Sequence, residues 1–298
     1  MYRLNRKQNL QKGIEYILIS NKKIGNTMKI YPSYGGSIQY LTLKDKTIIK
    51  EDNESDFKEK FSSSILFPYA NRVENGTFSF QGKDYQLPLN EVGKKSAIHG
   101  LIYDKKFEII DYCLSKDKAF ITLSYSSKSI EESSLFNYRI DLNYEIGETS
   151  LSLTVKISNI GKNPFPFSLG WHPYFYNKQI ENRKLDFESH KKIVFNPKMI
   201  PCSVQTDNTR QLTIDRHFDD CYKLSKGEIN YSNKDYQLLL TCNSEVNYLQ
   251  VFTPEDKNNV AIEFMTSPPN SLNTKEDIII MNPKDTYDHI WSIHLTKS

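Results

Sequence analysis

The sequence predicts an all-β protein: a large antiparallel β-sandwich with few short helices. Three observations carry that expectation. Apolar and polar residues alternate with period two in segment after segment, helical periodicity is nearly absent, and aromatic residues reach 12%. Successive side chains of a strand face opposite sides, so this alternation marks half-buried antiparallel strands. Aromatic side chains suit such pleated, half-buried surfaces. Many strands without intervening helices argue for a sandwich over a parallel sheet.

Along the chain, strands are expected first at Glu15–Ser20, Thr27–Tyr31 and Ser37–Leu43. Glu51 to Phe61 is the one polar helix candidate, short enough to be a loop instead. Asn75-Gly76 separates Asn71-Arg72-Val73-Glu74 from Thr77-Phe78-Ser79-Phe80, and Asn-Gly favours the two-residue type I′ hairpin, whose central residues both need positive φ. That places Arg72 on the first hairpin strand, within two residues of the turn. Further strands follow at Phe107–Cys113, at Ala119, Ile121, Leu123 and Tyr125, and at Phe136, Tyr138, Ile140, Leu142 and Tyr144. Leu151, Leu153, Val155 and Ile157 give another. Asn177–Lys192 and Cys202–Arg216 are polar and weakly patterned, and read as long surface loops. Tyr236–Cys242, Tyr248–Thr253, Val260–Phe264 and His289–Leu295 complete the set.

With 298 residues, no repeat and no Pro/Gly/Ser-rich linker, residues 1–298 are expected to form a single domain. Such a chain can bury a core without disulfides or metals. The net charge of +3, with Lys and Arg on no one segment, excludes a nucleic-acid partner. No apolar run approaches the ~18 residues of a membrane helix, and no signal-peptide core follows the basic N-terminus. Cys113, Cys202, Cys221 and Cys242 form no Cys-x-x-Cys pair, which disfavours a zinc knuckle. They read as reduced core thiols of a cytoplasmic protein.

Of six histidines, His190 lies in a charged stretch, and His289 and His294 lie on opposite faces of a strand. His99, in Ser96-Ala97-Ile98-His99-Gly100, and His172, in Gly170-Trp171-His172-Pro173, sit beside glycines and aromatics. Each is either a functional group or a hydrogen-bonded histidine at a sheet rim. No His-x-x-x-His pair supports a zinc site. Glu263 interrupts an apolar strand, which costs desolvation energy unless it faces water or a partner. Asp219-Asp220 read as a loop, either a solvated turn or a binding group.

Taken together, Tyr69-Ala70-Asn71-Arg72-Val73-Glu74-Asn75-Gly76, Tyr85-Gln86-Leu87-Pro88-Leu89-Asn90 and Ile98-His99-Gly100 resemble the aldose 1-epimerase (galactose mutarotase) family. That family's pattern runs Asn-Arg, a hairpin, a Tyr-x-Leu strand, Asn, then Leu-His-Gly. Gly170-Trp171-His172-Pro173-Tyr174-Phe175 is similar to its second histidine motif, and Asp219-Asp220-Cys221-Tyr222 to its acidic sugar-binding loop. Leu249-Gln250-Val251-Phe252-Thr253 and Ala261-Ile262-Glu263 resemble its Leu-Gln-x-Tyr-Thr and glutamate strands. The motifs come in family order from about residue 30 onward.

The resemblance implies a galactose mutarotase-like sandwich that interconverts α and β anomers of a free aldose. Glu263 would be the general base and His172 the general acid. His99 and Arg72 would hold the ring oxygen and nearby hydroxyls, and Asn71, Asp219 and Gln250 would bind further hydroxyls. A cyclic aldose is a hemiacetal: opening it removes the anomeric hydroxyl's proton and protonates the ring oxygen. A carboxylate and an imidazolium can do both near pH 7, with a neighbouring carboxylate raising His172 to keep it charged. No redox step occurs and no phosphate cradle is visible, so neither cofactor nor metal is expected. The partner is a small sugar, and the chain a monomer or homodimer. Alternatives are a hexose-6-phosphate 1-epimerase, though only seven arginines exist, a non-catalytic sugar-binding protein on the same fold, and a glycoside-processing enzyme pairing Glu263 with Asp219.

Overall fold

Alternation in the sequence becomes alternation in space. Among the described residues the largest sheet has nine strands, in the order Glu108–Leu114, Ala119–Ser126, Tyr138–Ile146, Ser150–Asn159, Thr286–Lys297, Gln237–Cys242, Glu228–Ser232, Lys184–Asp186 and Gln211–Thr213. The structure is a computed structural model and describes residues 1–9, 14–50, 57, 60–127, 135–177, 182–245, 247–254 and 258–297. A second sheet runs Pro201–Thr206, Ser189–Phe195, Asp219–Leu224, Asn247–Phe252, Asn259–Met265, Gly170–Trp171 and Ile65–Leu66, with Tyr174–Tyr176 also paired to Asn259–Met265. Arg3–Asn9 through Lys46–Ile49 form a five-stranded antiparallel meander. Among the described residues helix is confined to short turns such as Val92–Lys94 and Ser271–Thr274, and no helix there is long and apolar enough to cross a membrane.

The two large sheets pack face to face. One apolar cluster takes Ile121, Leu142, Leu153 and Ile293 from the first and Leu249, Val251, Ile262 and Phe264 from the second. Trp171 and Trp291 meet across the gap at 6.1 Å between ring centroids. Each such side chain, fully buried, contributes about 1.5–3 kcal/mol. Because strand side chains alternate, Gln250 and Glu263 point away from this core, onto the second sheet's other face. That face is covered too: Leu66, Ala70, Ile193, Cys221, Tyr248 and Met265 form a separate buried cluster on it. Every residue of Asn259–Met265 is buried.

The expected strands from Glu15–Ser20 to His289–Leu295 all form. The structure also corrects several expectations. Asn177–Lys192 and Cys202–Arg216 are not long loops, since Lys184–Asp186, Ser189–Phe195, Pro201–Thr206 and Gln211–Thr213 are strands within or across them. Pro201–Thr206 is an edge strand exposed on both faces, so it has no alternation to read. Asn75 and Gly76 do take positive φ, 54° and 63°, but they turn a corner rather than a hairpin. Arg72–Glu74 pairs with Ser96–Ile98 instead, and Thr77–Phe80 pairs with Lys83–Gln86 through Gln81-Gly82, whose φ values of 49° and 75° suit type I′. Asp219-Asp220 open a strand, Asp219–Leu224, rather than lie in a loop. Of the cysteines, all free, only Cys221 is buried, and Cys113 and Cys202 are exposed, not core. The helix candidate Glu51 to Phe61 falls largely outside the described residues.

Candidate active site

Glu263 and Gln250 lie directly opposite each other in neighbouring antiparallel strands. Gln250 in turn faces Cys221. Residues two apart in a strand share a face, so Asp219 joins Cys221, Gln250 and Glu263 while Asp220 faces the other way. Gln250 Nε2 donates to Asp219 Oδ1 at 2.6 Å. Asp220 is instead paired outward with Lys192 at 2.9 Å and Arg216 at 3.4 Å.

His172 is placed by a break between two short strands. Trp171 pairs with Phe264 and Tyr174 with Ala261, so His172 spans the gap beside Glu263. Its backbone is pinned on both sides: its N–H donates to Ser64 O (3.1 Å), and its C=O accepts from Ser63 N–H (2.8 Å). His172 Nε2 stands 3.3 Å from Glu263 Oε1.

His99 and Asn71 reach the site through left-handed backbone, at φ 61° and 58°. Asparagine tolerates that conformation, but for histidine it is uncommon, and such residues cluster at functional sites. Three contacts hold the turn. His99 N–H donates to Asn71 O at 3.1 Å, Arg72 N–H donates to Asn71 Oδ1 at 2.8 Å, and Gly100, at φ 79°, lies so near Phe67 that an added Cβ would sit 2.3 Å from its carbonyl oxygen. The His99 ring meets His172 edge-on, with centroids 4.9 Å apart. Asn71 Nδ2 lies 3.5 Å from Gln250 Oε1.

All seven residues singled out from the sequence, Asn71, Arg72, His99, His172, Asp219, Gln250 and Glu263, thus converge on one face of the second sheet. Glu263 is only 1% exposed and Arg72 8%, so Glu263 lies neither on a wet face nor in the sandwich core. Sequence reasoning missed two neighbours. Glu91 grips Arg72 through two hydrogen bonds, 2.7 Å to Nε and 2.9 Å to Nη2. Phe61 lays its ring beside His99 and Tyr103, both at 4.8 Å. No spacing signal marks either. A buried arginine's need for an anion does point to some acid, without saying which.

Burial dominates the electrostatics. It pushes the Glu263 carboxyl well above the usual carboxylate range, with the Asp219 charge adding to the rise and Arg72 opposing it. Burial also lowers His172 to about 4, against the expectation that a neighbouring carboxylate keeps it charged. His99 is lowered well below 6.5 by burial, then by His172 and Arg72. Asp219 is raised by burial. Burial disfavours charge on both members of the His172–Glu263 pair, which favours a single shared proton and no net charge. Glu263 Oε2, His99 Nδ1 and His172 Nδ1 are buried without a protein hydrogen-bond partner. Buried polar atoms are rarely left so, and a polyhydroxyl ligand would satisfy them. Two imidazoles and a carboxylate with donor atoms within 4.8 Å could also hold a divalent cation. The positive Arg72, whose charge bears on both His99 and Glu263, opposes one.

Comparison with known proteins points the same way. The family model described as Aldose 1-epimerase matches residues 17–294. The uncharacterized protein YihR of Escherichia coli K12 is 22% identical over 267 residues, covering 83% of each chain. The fold is that of a galactose mutarotase-like protein from Clostridium acetobutylicum, with a TM-score of 0.88 and 20% identity over 100% of this chain and 99% of that one. The galactose 1-epimerase of Lactobacillus acidophilus superposes with a TM-score of 0.81 at 14% identity, covering 100% of this chain and 99% of that one.

Proposed function

The chain belongs to the aldose 1-epimerase family, and on that premise we propose that it interconverts the α and β anomers of a free aldose by acid–base ring opening. The observation that carries this reading is the contact of His172 Nε2 with Glu263 Oε1 at 3.3 Å in a buried setting. One proton shared by such a pair lets the two groups act in complementary roles. With the proton on the imidazole, Glu263 Oε2 accepts the proton of the anomeric hydroxyl while His172 delivers one to the ring oxygen. The C1–O5 bond opens to the aldehyde, rotation about C1–C2 turns its other face, and the two transfers run in reverse. Each positioned proton transfer is worth about 10²- to 10⁴-fold.

Arg72 and His99 stand beside the pair, where negative charge develops on oxygen in the transition state. The chain Asn71, Gln250, Asp219 presents amide and carboxylate groups to sugar hydroxyls. Saturation transfer between anomer signals, recorded over a panel of free and phosphorylated sugars, tests the proposal. Wild type should accelerate exchange for at least one sugar, and Glu263→Gln should lose that acceleration while still binding it. Sugar binding without any acceleration by wild type would instead mark a non-catalytic sugar-binding protein.

A further inference from the structure

We propose that Glu91 is a positioning residue for Arg72, fixing the guanidinium so that its free edge faces the sugar and offsetting its charge as felt by the reacting pair. The inference rests on the reading of Arg72 as a sugar-binding group. Glu91 meets Nε and Nη2 at 2.7 and 2.9 Å, so both its oxygens lie along one edge of the planar fork. Bidentate pairing of this kind fixes orientation as well as distance. Nη1 is left for the opposite side. The charge of Arg72 bears on His99, Asp219 and Glu263 and favours the deprotonated form of each.

The segment carrying Glu91 is itself registered to the strand of Arg72. Arg72 pairs with Ile98. Asn90 clasps Ile98 from both sides, its Oδ1 accepting from Ile98 N–H at 2.7 Å and its Nδ2 donating to Ile98 O at 2.9 Å. Glu91 and Ser96 exchange backbone hydrogen bonds of 3.1 and 3.2 Å. A short 3-10 turn, Val92–Lys94, closes the loop and brings Lys94 Nζ to 3.2 Å from Glu91 Oε1. Burial alone would raise the Glu91 carboxyl. The hydrogen bond and charge of Arg72, with Lys94, hold it below its ordinary value, so it stays anionic wherever Glu263 could act as a base. Five polar contacts thus hold a carboxylate against Arg72.

Loss of Glu91 should therefore act through Arg72. In Glu91→Gln the second charged hydrogen bond is gone, and kcat/KM should fall about tenfold to hundredfold, mostly through KM. The uncompensated Arg72 charge should also move the acid limb of the kcat/KM profile to lower pH, because it favours the ionised form of Glu263. Glu91→Asp, which keeps the charge, should restore the limb and part of the rate. Nitrogen-15 spectra give a readout independent of turnover: the Nε–H of Arg72, assigned with Arg72→Lys, should exchange slowly with water in wild type and fast in Glu91→Gln. Failure of wild type to speed anomer exchange would count against the proposed reaction, and the exchange rate of Nε–H would then decide the Glu91 pairing alone. A Glu91→Gln protein with wild-type KM, pH profile and Nε–H protection would overturn the proposal. Equal losses in Glu91→Gln and Glu91→Asp with an unmoved pH profile would do so too, since they would mark a purely structural role.

Discussion

Replacing Glu263 by Gln removes one ionisable group from a position 1% exposed and leaves an amide of nearly the same shape. Burial holds the wild-type carboxyl well above its ordinary 4.5. The folded chain therefore keeps this proton to higher pH than the unfolded chain does. Where the folded state binds more protons, stability falls as pH rises. The fall starts near 4.5 and continues until the folded carboxyl ionises, at a rate approaching 1.4 kcal/mol per pH unit for a fully displaced group. Arg72 offsets part of it. Glu263→Gln should therefore be more stable than wild type by about 1–3 kcal/mol at pH 8, a rise in Tm of roughly 2–8 °C for a chain of this size. The difference should shrink as pH falls toward 4.5 and vanish below it, where the unfolded carboxyl of wild type is protonated as well. Thermal and urea melts of the two proteins between pH 4.5 and 8.5 provide the measurement. A Glu263→Gln protein less stable at pH 8, or a difference that ignores pH, would mean that Glu263 is ionised and paired when folded, and would refute the reasoning.

Other outcomes follow from the same geometry. Burial holds His172 and His289 to about 4, so the folded state binds fewer protons than the unfolded one between about 4 and 6.5. Stability should climb with pH through that window, each histidine adding up to roughly 3 kcal/mol. His289→Phe, remote from the acid–base pair, should flatten the slope in acid melts without changing the rate of anomer exchange. Asp219→Asn removes a charge that raises Glu263, so the acid limb of the kcat/KM profile should move to lower pH. An unmoved limb would place Asp219 out of electrical contact with the base. Gly100→Ala would force a Cβ to within 2.3 Å of the Phe67 carbonyl oxygen at φ 79°. It should cost about 2–4 kcal/mol in urea melts and lower sugar affinity by displacing His99.

What the sequence made legible and what it hid have physical causes. Strands buried on one face, such as Tyr138–Ile146 and Ser150–Asn159, announce themselves because one neighbour in two must be apolar. Pro201–Thr206 has water on both faces and so leaves no pattern. Asp219-Asp220 looks like a loop because two adjacent carboxylates break alternation, yet one turns to Gln250 and the other to Lys192 and Arg216. The residues of the site were readable because each sits in a short local context: a glycine after His99, a Trp-His-Pro break at His172, a carboxylate among apolar residues at Glu263. Glu91 was not, because its pairing with Arg72 is made by tertiary folding of a loop 19 residues on. The turn at Asn75-Gly76 has the torsions its sequence demands. Which strands pair across a turn was decided instead by Ser96–Ile98 taking the edge of Arg72–Glu74.

The sharpest test compares Glu263→Gln, His172→Asn and the double variant for their rates of α–β exchange on an accepted sugar. Because proton removal and proton delivery belong to one step, the double variant should be no slower than the slower single one. Losses that multiply, or one single variant working at the wild-type rate, would contradict the pairing of Glu263 with His172.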